Sequence, residues 1–235
     1  MKKTIHRADS RGTADFGWLK SRHTFSFGQY YNPDRVHFGM LRVLNDDVVK
    51  GGAGFPTHPH DNMEIVSIPL RGALAHKDST GNEKVIHTGE VQIMSAGSGL
   101  THSEYNASKA EAVNFLQIWV FPKEKDITPR YDQRVFETSE RQDKIQTVVS
   151  PDQKDSLWIN QDAWFSLATI SDGNTITYPI NKTGNGVYVF VIEGQINTDG
   201  ETLDKRDAIG ISGVEELQIK ASQDSELLFI EVPMN

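Results

Sequence analysis

Short apolar or alternating runs recur along the chain, each bounded by Gly, Pro, Asn or Asp. The first half carries HFGMLRVL, MEIVSIPL, EKVIHTGEVQIMS and AVNFLQIWVFP; the second carries WFSLATI, NTITYPI, GVYVFVIEG and ELLFIEVP. Runs this short, spaced about 8–12 residues apart, predict strands of a β-sandwich or small barrel. Apolar positions at helical spacing are missing. Turn chemistry agrees, because Thr80-Gly81-Asn82 and Asn197-Thr198-Asp199-Gly200 each separate two strand-like runs. The pattern predicts an all-β protein.

Between Lys123 and Ser156 the pattern lapses into a polar, charged stretch with Pro122, Pro129 and Pro151 around it. A boundary between two β domains is expected near residue 136, giving domains 1–135 and 136–235. A weak repeat supports two domains of one kind. SIPLRGALAHKDSTGNEKVIHTGE surrounds Gly72, and VFVIEGQINTDGETLDKRDA surrounds Gly194. Each reads as a strand, a glycine, a hairpin with its own turn glycine, and a further strand.

Composition narrows the function classes. With 24 Lys+Arg against 32 Asp+Glu, the balance 24 − 32 = −8 repels phosphate backbones and argues against direct nucleic-acid binding. Zero cysteine excludes disulfides, zinc thiolate sites, iron–sulfur clusters and a cysteine nucleophile. The start MKKTIHRADSRG has no apolar core behind its lysines, and no apolar run approaches the ~18–20 residues of a membrane helix. A soluble, cytoplasmic protein with no membrane partner is expected.

The eight histidines are unevenly placed: His102 is the last of them, and the longer part of the chain, beyond it, holds none. Thr57-His58-Pro59-His60 puts two imidazoles at i and i+2, the same face of a strand. His102, with Glu104 at i+2, repeats that spacing in a later strand-like run. Three imidazoles and a carboxylate form an N₃O donor set suited to Fe(II), Ni(II), Cu(II), Mn(II) or Zn(II), and on an octahedral ion they leave positions open. Glu104, at the metal, is also the candidate general base. Glu64 is open to three readings, a fifth ligand, a residue orienting an imidazole from behind or an ordinary barrel residue, of which the second is favoured. His6, His23, His37, His76 and His87 are expected to be structural or exposed. Met40, Phe55 and Gln117 are candidate pocket-lining residues.

The stretch Gly52-x5-His58-x-His60-x3-Glu64-x7-Gly72 resembles the first cupin motif, and Gly89 to His102 resembles a degenerate second one. The resemblance to the pirin branch of the cupins is closer. It rests on HTFSFGQYYNP, THPHDNMEI, GEVQIMSAGSGLTHSEYN, QIWV and ITPRYDQ, in that order, from His23 to Gln133. The second motif departs from the general pattern, with Ala96-Gly97-Ser98-Gly99 in place of a Pro-Gly turn and a longer spacing before His102.

The resemblance implies a bicupin of two jelly-roll barrels. One divalent metal would sit in the N-terminal barrel, Fe(II) first and Ni, Cu, Mn or Zn otherwise, held by His58, His60, His102 and Glu104. It also implies activity of the quercetin 2,3-dioxygenase type, in which a flavonol-like aromatic and dioxygen react with ring opening and release of carbon monoxide. The alternative reading is a non-catalytic metal-binding bicupin that serves as partner of a transcription factor or metabolic enzyme; a purely structural metal is the third. When Gly72 is laid on Gly194, His58 and His60 fall on Ile180 and Lys182. The second barrel should therefore hold no metal.

Overall fold

Each apolar run contributes a strand to the computed structural model, which describes residues 1–235. The chain opens with β1 (Lys2–His6), β2 (Gly12–Asp15), β3 (Leu19–His23), β4 (Leu41–Val49), β5 (Gly54–His60) and β6 (Glu64–Arg71). Then come β7 (Ala73–Asp78), β8 (Glu83–His87), β9 (Glu90–Ser95), β10 (Leu100–Asn106), β11 (Val113–Val120) and β12 (Arg130–Val135). The second half supplies β13 (Ile145–Ser150), β14 (Leu157–Trp158), β15 (Trp164–Ile170), β16 (Thr175–Pro179) and β17 (Asn185–Glu193). It ends with β18 (Gln195–Thr198), β19 (Glu201–Asp204), β20 (Ala208–Ser212), β21 (Glu216–Ala221) and β22 (Ser225–Pro233). Two short 3-10 turns, Ala8–Ser10 and Thr138–Arg141, are the only helical residues.

The strand orders show the duplication. In the first half they run β12-β9-β6-β11-β4-β3-β2 and β5-β10-β7-β8. In the second they run β1-β20-β17-β22-β15-β13-β14 and β16-β21-β18-β19. Laid over each other, β6 matches β17, β11 matches β22, and the hairpin β7–β8 matches β18–β19. The architecture is a bicupin, all-β throughout.

One strand crosses over. β1 pairs with β20 from Lys2↔Ser212 to His6↔Ala208, in the edge position that β12 takes beside β9. A cut between residues 135 and 136 would separate β1 from its own sheet.

Alternation along the central strands explains why they read as nearly continuous apolar runs. On β11, Leu116, Ile118 and Val120 join a core of 25 buried residues drawn from both halves, which includes Val66, Ile68, Phe165, Tyr188 and Ile230. The intervening Phe115, Gln117 and Trp119 face the other way, into the first barrel. Both faces of the strand are buried, so polar and apolar positions stop alternating.

The two barrel interiors differ. The second is filled by an apolar cluster of 16 buried residues in which Tyr178 stacks on Phe229 at 4.8 Å. The first holds only clusters of 6 and 4 buried apolar residues. The glycine-based comparison with Ile180 and Lys182 slips, because the link from β16 to β17 (180–184) is longer than the link from β5 to β6 (61–63). The counterparts of the histidine strands are β16 and β21, whose buried positions are Ile176, Tyr178, Leu217, Ile219 and Ala221. Lys182 instead pairs with Asp162 at 2.6 Å.

His6 joins the halves: its Nδ1 lies 2.7 Å from the Tyr188 hydroxyl, and Phe25 packs edge-on at 5.7 Å. Burial, and secondarily the charge of Arg35, lower its pKa to about 4. As pH falls from 6.5 towards 4, the unfolded chain takes up a proton that the folded chain refuses. Stability is therefore lost on acidification, by roughly 3 kcal/mol from this group alone. A His6→Asn variant should show a flatter dependence of Tm on pH across that window. An unchanged slope would contradict the assignment.

Candidate metal centre

β5 and β10 run antiparallel, with His102 opposite His58 and Leu100 opposite His60. The i, i+2 spacing on β5 and the cross-strand pairing bring three rings together, with centroids 4.9 Å (His58–His60), 4.4 Å (His58–His102) and 4.8 Å (His60–His102) apart. Their ligating nitrogens all lie within 4.8 Å of one another. The register slips between His102 and Glu104, so Glu104 lies opposite Phe55. The step from His58 to Phe55 on β5 is thus longer than the facing step on β10, a bulge of the kind that re-aims side chains beside functional sites. In the turn entering β10, a Cβ on Gly97 (φ +49) would overlap the Ile127 carbonyl oxygen. That close approach accounts for glycine in the degenerate motif.

Hydrogen bonds set which nitrogen of each ring is free. His58 Nδ1 donates to the Pro56 carbonyl at 2.8 Å, leaving Nε2 with its lone pair. A longer chain acts on His102. His76 Nε2 lies 3.0 Å from Asp78 Oδ2, and His76 Nδ1 lies 3.5 Å from His102 Nδ1. With Nε2–H donated to Asp78, His76 Nδ1 accepts from His102 Nδ1–H, and His102 Nε2 keeps its lone pair. That Nε2 is buried and has no hydrogen-bond partner. Burial, with repulsion between neighbouring imidazoles, lowers His60 to about 4 and His102 to about 2, so both are neutral at pH 7.

Glu104 is buried beside them. Gln117 Nε2 donates to its Oε2 at 2.7 Å, and Ser67 Oγ, only 2.7 Å from Gln117 Oε1, stands 3.4 Å from its Oε1. Ser67 has one proton to give and the shorter contact takes it, which leaves Glu104 Oε1 short of donors. Burial, and then the charge of Asp47, raise the Glu104 carboxyl to about 7. Its carboxylate lies within 4.8 Å of the ligating nitrogens of His102 and His76, while His58, His60 and His102 form the other close group. A cation beside it would remove the cost of its charge. Neutral imidazoles, a partnerless His102 Nε2 and an under-bonded carboxylate fit a divalent transition metal.

Of the five histidines expected to be bystanders, His37 and His87 are exposed. His6 joins the halves. His76 is a correction: it is buried against the centre, with Tyr131 stacked on it at 4.6 Å. The signal for it is Asp78 at i+2, an imidazole–carboxylate pair on one strand face. His23 lines the cavity that opens onto the candidate centre. Glu64 does not orient an imidazole. The chain turns at Asn62 (φ 46) between β5 and β6, and Glu64 accepts from Ser95 Oγ at 2.8 Å and from the Asn160 backbone N–H at 3.1 Å. It ties the two halves together.

A cavity of about 1100 Å³ opens onto the centre. His58, His60 and Glu104 line its floor, and Phe16, Trp18, Phe27, Tyr30, Phe55 and Trp119 supply aromatic walls. Phe55 and Gln117 line it as expected; Met40 packs on the core shared by the two halves. This volume suits a molecule of several rings.

Two barrels, with a histidine-rich centre in the first and an apolar interior in the second, define the class as a bicupin with one candidate metal centre. Family models assign it further: the pirin model matches residues 5–120, and the model for the quercetinase C-terminal cupin domain matches residues 147–232. The chain is 41% identical over 231 residues to the quercetin 2,3-dioxygenase of Escherichia coli strain K12, covering 97% of this chain and 98% of that protein. It is 40% identical to a pirin-like protein of Caulobacter vibrioides, covering 95% and 96%. The crystal structure of the Escherichia coli bacterial pirin YhhW in complex with nickel(II) superposes with a TM-score of 0.94 at 40% identity, over 100% of both chains. The protein belongs to the pirin family.

The hydrogen-bond chain behind His102 has a measurable consequence. His76→Ala is expected to weaken metal binding about 10–100-fold in competition with a colorimetric chelator. Unchanged affinity would show that Asp78 and His76 do not set the His102 tautomer.

Proposed function

We propose that this chain is a metal-dependent dioxygenase of the quercetin 2,3-dioxygenase type, opening the ring of a flavonol with dioxygen and releasing carbon monoxide. The observation that carries the reading is the convergence of three imidazoles beside a buried carboxylate, with His58, His60 and Glu104 lining a large aromatic cavity. His58, His60, His102 and Glu104 would hold one divalent ion, Fe(II) and Ni(II) among those that suit the donor set. When bound, such an ion supplies Lewis acidity towards the substrate's hydroxyl and a centre at which dioxygen chemistry runs.

The chain's own contribution is binding, orientation and proton handling. Phe27, Trp119 and Phe55 offer flat apolar faces to a planar substrate and keep its reacting edge at the cavity floor. Glu104 Oε1, left short of hydrogen-bond donors, accepts the proton of the hydroxyl directed at the floor. Gln117 fixes the other oxygen of the carboxylate, so Glu104 turns only one oxygen towards substrate. The relatives named for this activity, and the nickel-bound pirin, lend support from outside the chain.

The test is to load the metal-free protein with Fe(II), Ni(II), Cu(II) or Mn(II) and incubate it with quercetin under air. Flavonol absorbance and carbon monoxide are followed together. Turnover should exceed that of the free ion, and Glu104→Gln should lower kcat about 10²–10⁴-fold. No turnover above free metal with any of the four ions would overturn the reading and favour a metal-binding partner protein.

A further inference from the structure

A groove of about 440 Å³ lies where the outer face of β3 and β4 meets the turn between β19 and β20. Asp9, Arg11, Arg22, Asp46, Lys205 and Arg206 line it, four cations against two carboxylates in a chain of net charge −8. Of these only Arg11 also borders the cavity over the metal centre.

The carboxylates on hand do not satisfy these cations. Asp46 Oδ1 accepts from Asn114 Nδ2 at 2.7 Å, so Asp46 offers the groove only Oδ2. Arg206 Nε reaches that oxygen at 3.5 Å and Arg11 Nη2 at 4.0 Å. Glu193 pairs with Lys205 at 2.7 Å and with Arg206 Nη2 at 3.8 Å. Arg22 stands directly opposite Asp46 in the strand register, yet it has no carboxylate partner. Arg11 is the most exacting case. It is 6% exposed, its Nε and Nη1 are sealed from water without a partner, and its Nη2 finds nothing within hydrogen-bond reach. Burial lowers its pKa, Asp46 works against that, and the charges of Arg206 and Arg22 add to the lowering. A buried guanidinium without a close acceptor is costly to keep.

Arg206 carries a second, independent sign. Its φ is +68, in the left-handed region that favours glycine. The matching turn of the first half, between β8 and β9, places Gly89 there at φ +91. The second half therefore sets a long cation where its duplicate keeps glycine, and accepts a strained backbone to do so. The fold alone has no need of that side chain.

We propose that Arg11, Arg22, Lys205 and Arg206 form an anion site between the two halves that binds the phosphoryl group of a small molecule. Three guanidinium groups and an ammonium offer more N–H donors than one carboxylate can accept. A phosphoryl group brings three oxygens and about two negative charges at neutral pH, which matches them. The site is independent of the dioxygenase reading.

The test titrates the zinc-loaded full chain by calorimetry, at constant ionic strength set with chloride. The probes are inorganic phosphate, glycerol 3-phosphate and acetate. Wild type should bind both phosphates saturably at one site per chain, and acetate at least about tenfold more weakly. Tighter binding of glycerol 3-phosphate assigns the site to a phosphate ester, and equal binding to free phosphate. Arg206→Gly, which restores the residue of the matching turn, should weaken phosphate about ten- to a hundredfold without lowering the Tm of the unliganded protein. Arg22→Gln, at an exposed position, should weaken it about three- to tenfold whether or not Arg206→Gly folds well. Asp46→Asn, which removes the competing carboxylate, should tighten it.

No saturable phosphate binding by wild type would overturn the proposal. Phosphate affinity unchanged in both Arg206→Gly and Arg22→Gln would do the same, since binding would then lie elsewhere. A fall in Tm for Arg206→Gly with phosphate affinity retained would reduce Arg206 to a structural partner of Asp46.

Discussion

The packing of the two seven-stranded sheets against each other removes one face of each from water, and the organisation of the first barrel follows from it. The shared core holds 25 buried apolar residues from both halves. Each fully buried side chain of this kind contributes about 1.5–3 kcal/mol relative to exposure. With so much burial on the outer face of its sheet, the first barrel is free of the requirement to fill its own interior with leucine and isoleucine. Asn45, Asp47, Ser67, Gln92 and Gln117 occupy inward positions that a self-supporting barrel would give to apolar residues. The second barrel shows the other outcome of the same topology, with Tyr178 and Phe229 stacked where the first keeps a cavity.

Within that polar interior the centre is ordered by hydrogen bonds from behind. The Pro56 carbonyl fixes His58, the Asp78–His76 pair fixes His102, and Gln117 with Ser67 fixes Glu104. None of these partners is itself in the close group of three imidazoles, yet together they determine which atoms of the site carry lone pairs. Burial adds to this by keeping His60 and His102 neutral, the state in which imidazole binds metal.

Much of this is legible in the sequence, and what is not has physical causes. The strands, the duplication and the convergence of His58, His60 and His102 follow from period-2 patterning and i, i+2 spacing, which are local. The place of β1 is not legible, because its pairing with β20 joins the start of the chain to a strand near its end and leaves no local trace. His76 is hidden when only imidazole pairs, or imidazole with glutamate, count as a signal; its partner is Asp78 on the same strand face. Glu64 shares the face of His58 and His60 only if β5 continues as a regular strand, whereas the turn at Asn62 sends it to the other sheet and to Asn160. Met40 falls outside the cavity for a similar reason: its neighbour Gly39 packs against Pro233, which draws this stretch towards the end of the second half.

The central claim is that three imidazoles of the first barrel share one metal ion. X-ray absorption at the nickel K-edge of the nickel-loaded protein tests it most directly, since imidazole rings give a distinctive multiple-scattering pattern and metal content is read from the same sample. The account predicts one ion per chain with three imidazole nitrogens and oxygen donors completing the shell. A shell with one imidazole or none, or metal content independent of His58, His60 and His102, would contradict it.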